Sequence, residues 1–192
     1  MKTDIILCGV GGQGILTIAT VIGAAATAAG IQLKQAEVHG MSQRGGDVQS
    51  NLRLSTEAIW SDLIPQGGAD LIISMEPMEA LRYLPWLRQG GHVITASTPL
   101  VNIPDYPDHA AVRDELLALG NVELLDIESL AQQNGIPRSA NIILLGAAAR
   151  HLDILGADAL REAIGTIFSA KGDAVVEANR KAFELGYKQP TI

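Results

Sequence analysis

The 192-residue chain contains a single cysteine, Cys8. One cysteine cannot form an internal disulfide, a four-cysteine zinc site or a cysteine-ligated iron–sulfur cluster. Cys8 ends the apolar run at residues 5–8, so we predict that it is a core residue. An unpaired buried thiol is typical of a reducing compartment, and we therefore expect a cytoplasmic protein.

Aromatic residues are also scarce, at 4% of the chain, whereas hydrophobic residues make up 47%. This hydrophobic fraction excludes a disordered chain, and the core must be built from Ile, Leu, Val and Ala. Such a core suits a parallel sheet that is covered by helices.

Clusters of positive charge are missing, and the formal net charge is −7. Nucleic-acid binding requires clustered cations, so we expect no nucleic-acid partner.

The stretch from Ile5 to Leu33 has no charged residue. This stretch is long enough for a membrane helix or a targeting segment. Four glycines and Gln13 near its start, with Asp4 before it, argue against both alternatives.

Short β-branched runs alternate with longer helical patterns along the chain, and no linker divides it. This pattern predicts one domain, residues 1–192, with an α/β fold: a Rossmann-like doubly wound, mostly parallel sheet with helices on both faces and a helical C-terminal third. The predicted strands are residues 4–8, 32–38, 47–55, 69–75, 92–97 and 122–126, and the third is expected to be antiparallel or at an edge. The predicted helices are residues 12–29, 77–88, 109–119, 129–134, 141–152, 157–170 and 173–185, with Gly90 and Gly91 ending the second.

Residues 9–14 read GVGGQG, directly after the first strand and before the first helix. Gly9, Gly11 and Gly14 match the G-x-G-x-x-G fingerprint, in which a glycine-rich turn and a helix N-terminus hold a phosphate. We predict that these three glycines, with Gly12 and Gln13, bind a phosphorylated ligand. The alternative is a close-packed turn without a ligand.

A dinucleotide site also needs a carboxylate about 20 residues beyond the fingerprint, to bond the ribose. Glu37 is the candidate, and it keeps open a stand-alone NAD(P)- or flavin-dependent reductase. The other interpretation of Glu37, which we favour, is a surface carboxylate on a polar strand.

A second loop, residues 39–46, reads HGMSQRGG. It concentrates polar side chains beside glycines, and an arginine there has room to bind a phosphate or carboxylate. We predict that this loop contributes Ser42, Gln43, Arg44, Gly45 and Gly46 to the site. The alternative is a solvated polar loop.

Together the two loops resemble the gamma-type subunit or domain of 2-oxoacid:ferredoxin oxidoreductases, and the HGMSQRGG form is most similar to the indolepyruvate branch of that family. Further matches are Asn141 to Gly146 (NIILLG), Asn179, and the segment AFELGY at residues 182–187. The resemblance covers nearly the whole chain.

The resemblance implies a subunit of an enzyme that oxidatively decarboxylates aryl 2-oxoacids such as indolepyruvate to aryl-acetyl-CoA and reduces ferredoxin. It also implies that coenzyme A is the ligand of this chain, which would complete a partner's active site. The chain has no Gly-Asp-Gly segment for thiamine diphosphate and magnesium. These cofactors and the iron–sulfur clusters are therefore expected in a larger alpha subunit, through which ferredoxin reacts, and this chain is not expected to be active alone. A purely structural assembly subunit is the remaining alternative.

Other polar and aromatic residues have simpler interpretations. No histidine pair has metal-ligand spacing, and we expect no bound metal and no catalytic residue in this chain. Ser139 and Asn141 are predicted to cap the following helix. Glu123, Asp126 and Glu128 are expected to form a solvated face, and Tyr83, Trp60 and Trp86 either pack in the core or meet a partner.

Overall fold

The computed structural model describes residues 1–39 and 45–189, except for the side chain of His39. The strands are β1 (Lys2–Val10), β2 (Gln32–His39), β3 (Asp47–Ser55), β4 (Ala69–Ser74), β5 (Leu87–Ala96) and β6 (Val122–Leu125). The helices are α1 (Ile15–Ala28), α2 (Pro77–Arg82), α3 (His109–Ala118), α4 (Ile127–Gln133), α5 (Ala140–Ala148), α6 (Gly156–Phe168) and α7 (Asp173–Tyr187).

The six strands form one sheet in the order β2-β3-β1-β4-β5-β6. Strands β1, β4, β5 and β6 are mutually parallel, whereas β3 is antiparallel to both of its neighbours. The Rossmann-like, mostly parallel fold is thus confirmed. The antiparallel direction of β3 is also confirmed, but its edge position is wrong, since β3 pairs with β1 from Lys2↔Ser55 to Val10↔Asp47.

Helices cover both faces of the sheet. Alternate residues of β1 point to opposite faces, so Ile5 and Leu7 pack in a large core with α1 and the C-terminal helices. Ile6 and Cys8 pack in a smaller core on the other face, with residues of α2 and α3. The prediction that Cys8 is a core residue is confirmed, because its side chain is completely buried.

The second predicted helix, residues 77–88, is wrong at its end. Helix α2 stops at Arg82, a short 3-10 turn covers Leu84–Trp86, and β5 already begins at Leu87. Pro85 lies in this turn and has no N–H group to continue a helix. Consequently Gly90 and Gly91, which were expected to end the helix, lie within the strand.

Two glycines allow α5 and α7 to approach each other closely. A Cβ atom on Gly146 would collide with the backbone carbonyl of Phe183, and one on Gly186 would collide with that of Ile143. A close backbone contact therefore holds α5 and α7 together in the helical C-terminal third. Within the described ranges, no helix has the length and apolarity needed to cross a membrane.

Candidate functional site

The two loops identified from the sequence meet at one edge of the sheet. The parallel strands β1, β4, β5 and β6 all end there, β2 ends there too, and the antiparallel β3 begins there. The backbone N–H of Gly11 donates to the carbonyl of Gly46 at 2.9 Å, which joins the first loop to the second. Open α/β sheets bind ligands at this edge.

The glycine loop requires backbone conformations that other residues rarely adopt. Gly12 has a φ of 103° and Gly14 a φ of 85°. A Cβ atom on Gly12 would meet nothing within 4 Å, so this glycine leaves open space beside the loop. Gly12 is also exposed, and its backbone is therefore accessible to a ligand.

The Gln13 side chain stabilises the loop from inside. Its Oε1 accepts a hydrogen bond from the Val10 N–H at 2.7 Å, and its Nε2 donates to the Met75 carbonyl at 3.0 Å. Met75 follows β4, so Gln13 links the ends of β1 and β4. With both ends of its amide engaged, Gln13 rigidifies the loop.

Helix α1 begins without a side-chain cap. Gly14 is its N-cap residue, and its first turn contains no acidic residue. By contrast, α2, α3 and α4 are capped by the carboxylates of Glu76, Asp108 and Asp126, whereas α5, α6 and α7, like α1, have no side-chain cap. Uncapped N–H groups and the positive end of the helix dipole favour an anion at the start of α1.

Asn141 contacts the glycine loop, whereas the simpler interpretation of this residue from the sequence was a helix cap. Its Nδ2 donates to the Gly14 carbonyl at 3.1 Å, and a Cβ atom on Gly14 would lie 2.7 Å from that nitrogen. The predicted capping by Ser139 is wrong, since the side chain of this N-cap residue makes no capping hydrogen bond to α5. In the sequence, the feature that drew attention to Asn141 was its match to the family pattern.

Three of the predicted site residues, Ser42, Gln43 and Arg44, lie outside the described residues. The next two, Gly45 and Gly46, are described and lie against the first loop. The Gly45 carbonyl accepts a hydrogen bond from Asn102 Nδ2 at 2.8 Å. The end of the second loop is therefore fixed from two sides, by Gly11 and by Asn102.

A cluster of carboxyl side chains lies near the same edge, on the face of the sheet opposite to α1. The Tyr83 hydroxyl donates to Asp47 Oδ2 at 2.7 Å, which fixes the first residue of β3 to α2. Glu79 is buried beside them and pairs with Arg82 at 2.8 Å. Burial, with a smaller contribution from the neighbouring Asp47, raises the pKa of Glu79 to about 7 against the opposing effect of Arg82.

Glu76 anchors the loop at residues 97–108. It is buried, and its Oε1 accepts hydrogen bonds from the Leu100 N–H at 3.3 Å and from the Tyr106 hydroxyl. Burial also raises the pKa of Tyr106. This anchoring presents Leu100, Val101 and Ile103 at the surface, with exposed fractions of 42%, 58% and 40%.

The sheet order bears on the dinucleotide alternative. Glu37 pairs with Ser50 on β3, which pairs in turn with Leu7 on β1. Two strand spacings, about 10 Å, therefore separate Glu37 from β1. Its carboxylate is exposed and accepts a hydrogen bond from Gln35 at 2.6 Å, as expected for a surface residue.

The predicted solvated face of Glu123, Asp126 and Glu128 is wrong for Glu123, whereas Asp126 is exposed. Glu123 is buried and bonded to Arg150 and to His151, the latter at 2.7 Å. Asp126 caps α4. Solvation was inferred from charge alone, and the partners come from the distant end of α5.

The aromatic residues divide between core and surface. Tyr83 and Trp86 pack in the smaller core, whereas Trp60 is 93% exposed.

Across residues 1–39 and 45–189, no group of three or more His, Cys, Asp or Glu side chains is arranged to hold a metal ion.

Comparison with known proteins identifies the family. Residues 4–189 match the family described as pyruvate ferredoxin/flavodoxin oxidoreductase. The chain is 37% identical over 194 residues to the indolepyruvate oxidoreductase subunit IorB of Pyrococcus horikoshii, with 96% of this chain and 94% of that protein covered.

Two solved structures share the fold. The gamma subunit of a keto/oxoacid ferredoxin oxidoreductase from Geobacter sulfurreducens is 25% identical, with a TM-score of 0.68 and coverage of 97% and 96%. The 2-oxoglutarate:ferredoxin oxidoreductase of Magnetococcus marinus is 19% identical, with a TM-score of 0.74, and all of this chain covers 32% of that one. The chain therefore belongs to the pyruvate ferredoxin/flavodoxin oxidoreductase family and corresponds in length and fold to its separate small subunits.

Proposed function

We propose that this chain is the small subunit of an indolepyruvate-type 2-oxoacid:ferredoxin oxidoreductase, and that its glycine loop binds coenzyme A phosphates beside the active site of a larger subunit. The observation that carries the coenzyme A assignment is the uncapped start of α1 at Gly14. Beside it, Gly12 offers exposed backbone with open space where a side chain would lie. A pyrophosphate suits these donors.

The second loop extends the same proposal. Gly46 accepts a hydrogen bond from Gly11 at 2.9 Å, so Gly45 and Gly46 lie beside the phosphate-binding backbone. Arg44 directly precedes them in the sequence. We propose that its side chain contacts a phosphate of the ligand or the partner's active site, and that Ser42 and Gln43 make neighbouring polar contacts. The net charge of −7 disfavours the approach of an anionic ligand, so these local donors must supply the affinity.

The redox cofactors are assigned to the partner. The residues of this chain do not fit an iron–sulfur cluster, because Cys8 is alone and completely buried. We therefore assign the clusters to the large subunit, which would also react with ferredoxin, together with thiamine diphosphate and magnesium, for which this chain has no Gly-Asp-Gly segment. The Magnetococcus protein, solved with 2-oxoglutarate, coenzyme A and succinyl-CoA bound, carries this fold within a chain about three times as long.

The surface for the large subunit is proposed at the anchored loop. Leu100, Val101 and Ile103 are exposed apolar side chains on a segment that is fixed to Glu76 and to Gly45. Exposed apolar side chains on a well-ordered segment are typical of a protein interface. They lie at the ligand-binding edge of the sheet, so a partner seated there would face the glycine loop.

The assembled enzyme tests the coenzyme A assignment. Gly12→Ala places a methyl group in the open space beside the loop without a clash inside the protein. We expect the KM for coenzyme A to rise about 10-fold or more, because a lost contact to a charged phosphate costs about 1.5–3 kcal/mol. Arg44→Ala is expected to raise the same KM.

Gly67→Ala is the matched control. Gly67 also has a positive φ, 70°, and open space around its missing Cβ, but it lies between β3 and β4, at the opposite edge of the sheet. The control also places a side chain at a positive φ, without obstructing the loop. An unchanged KM in both Gly12→Ala and Arg44→Ala, with normal assembly, contradicts coenzyme A binding here; impaired assembly with an unchanged KM supports a purely structural subunit.

A further inference from the structure

A cavity of about 540 Å³ opens beside the first turn of α1. The start of α5 and the facing ends of α6 and α7 form its walls. This volume lies within the range of small-molecule sites, about 300–1,000 Å³. Its apolar walls include Ile136, Phe168 and Ala178.

Polar groups of the cavity favour an anion. Arg138 and Lys171 line it as exposed cations, and among the described residues that line it there is no carboxylate. This is notable in a chain with 21 acidic residues against 14 lysines and arginines. Asn179 also lines the cavity; it is 5% exposed, and its Nδ2 donates to the Val175 carbonyl at 2.8 Å.

Two residues that line the cavity bond to the end of the glycine loop. Asn141 lines the cavity and also donates to the Gly14 carbonyl at 3.1 Å. Thr17, another lining residue, donates its backbone N–H to the same carbonyl at 3.1 Å. One extended ligand can therefore contact the N-terminus of α1 and enter the cavity.

We infer that this cavity binds the adenosine 3′-phosphate end of coenzyme A, an inference that rests on the proposed function. The apolar walls would receive the adenosine, and Arg138 and Lys171 would pair with the 3′-phosphate. The pyrophosphate then lies at the glycine loop, and the thiol arm extends away from the cavity along the edge of the sheet. The cavity is thus a specificity site for the 3′-phosphate.

Dephospho-coenzyme A, which lacks only the 3′-phosphate, is the probe for this inference. In the assembled enzyme, Arg138→Gln and Lys171→Gln are each expected to raise the KM for coenzyme A about 10-fold. The KM for dephospho-coenzyme A should stay within about 2-fold of the unmodified enzyme. Both side chains are exposed, so their replacement should not affect folding.

Lys34→Gln is the matched control, because it removes one exposed cation from β2, outside the cavity lining. It should leave the KM of both compounds unchanged. If Arg138→Gln and Lys171→Gln affect both compounds equally, or neither, the cavity assignment is overturned. Gly12→Ala separates the two proposals, because it should raise the KM of both compounds; if it does so while the cavity variants have no selective effect, only the cavity assignment fails.

Discussion

The Asn141 side chain donates a hydrogen bond to the backbone carbonyl of Gly14, across 127 positions of the sequence. This contact connects the helical C-terminal third to the loop that begins α1. The edge proposed to bind phosphate therefore includes α5 as well as the sheet. It also places Gly14 so close to Asn141 that a side chain at Gly14 cannot be accommodated without movement.

The first prediction concerns this contact. Gly14→Ala should lower the free energy of unfolding by about 2–4 kcal/mol, because a positive φ costs about 1–2 kcal/mol and the new methyl group meets Asn141. Gly30→Ala is the control, since Gly30 has a φ of 68° and open space around it. Denaturant unfolding of the three proteins measures the difference; equal losses in both variants would show that the Asn141 contact does not constrain Gly14.

The second prediction concerns the approach of α5 and α7. Gly186→Ala should destabilise the chain by more than about 3 kcal/mol, since its methyl group collides with the backbone carbonyl of Ile143, which cannot move freely. At Gly165 the nearest atoms belong to the flexible side chain of Arg180, so Gly165→Ala should cost little. Thermal unfolding compares the two variants, and similar melting temperatures would contradict the close packing.

The third prediction is a pH dependence of stability. The pKa of Glu79 is raised from 4.5 to about 7 in the folded chain, mainly by burial. The folded state therefore keeps a proton that the unfolded state releases, and stability should fall as pH rises from about 4.5 to 7. Glu79→Gln should flatten this part of the curve, whereas Glu57→Gln, at an exposed position, should not. An unchanged slope in Glu79→Gln would contradict the buried, protonated state.

The fourth prediction tests the proposed partner surface. Val101→Asp places a charge on the anchored apolar loop and should weaken recovery of the large subunit about 10-fold or more in co-purification. Trp60→Asp is the control, because Trp60 is 93% exposed on a different loop. Loss of the partner only in the Trp60 variant would place the interface elsewhere.

The sequence predicted much of this architecture because the signals were local. Glycines at residues 9–14 marked the turn between β1 and α1, and the apolar run around Ile6 marked a central strand. By contrast, the position of β3 between β2 and β1 depends on pairing between distant segments, and residue patterns do not specify such partners. The strand order in turn decides that Glu37 lies two strands away from β1.

Side-chain roles were predicted less well than backbone elements. Nothing in the sequence indicated that the Gln13 amide bonds to Val10 and Met75, and its predicted contact with a ligand stays a prediction. Asn141 was expected to cap a helix, but it bonds to Gly14. Both roles depend on atoms from other elements that come together only in the folded chain, and the same holds for the cavity at Arg138 and Lys171.

Equilibrium binding to the assembled enzyme tests the central claim most directly. Titration calorimetry with coenzyme A and, separately, with NADPH would be performed on the unmodified complex and on the Gly12→Ala and Gly67→Ala variants. We predict that coenzyme A binds, that its Kd rises about 10-fold or more in Gly12→Ala alone, and that NADPH does not bind. Coenzyme A binding with the same Kd in all three complexes, or tight binding of NADPH that Gly12→Ala abolishes, would contradict it.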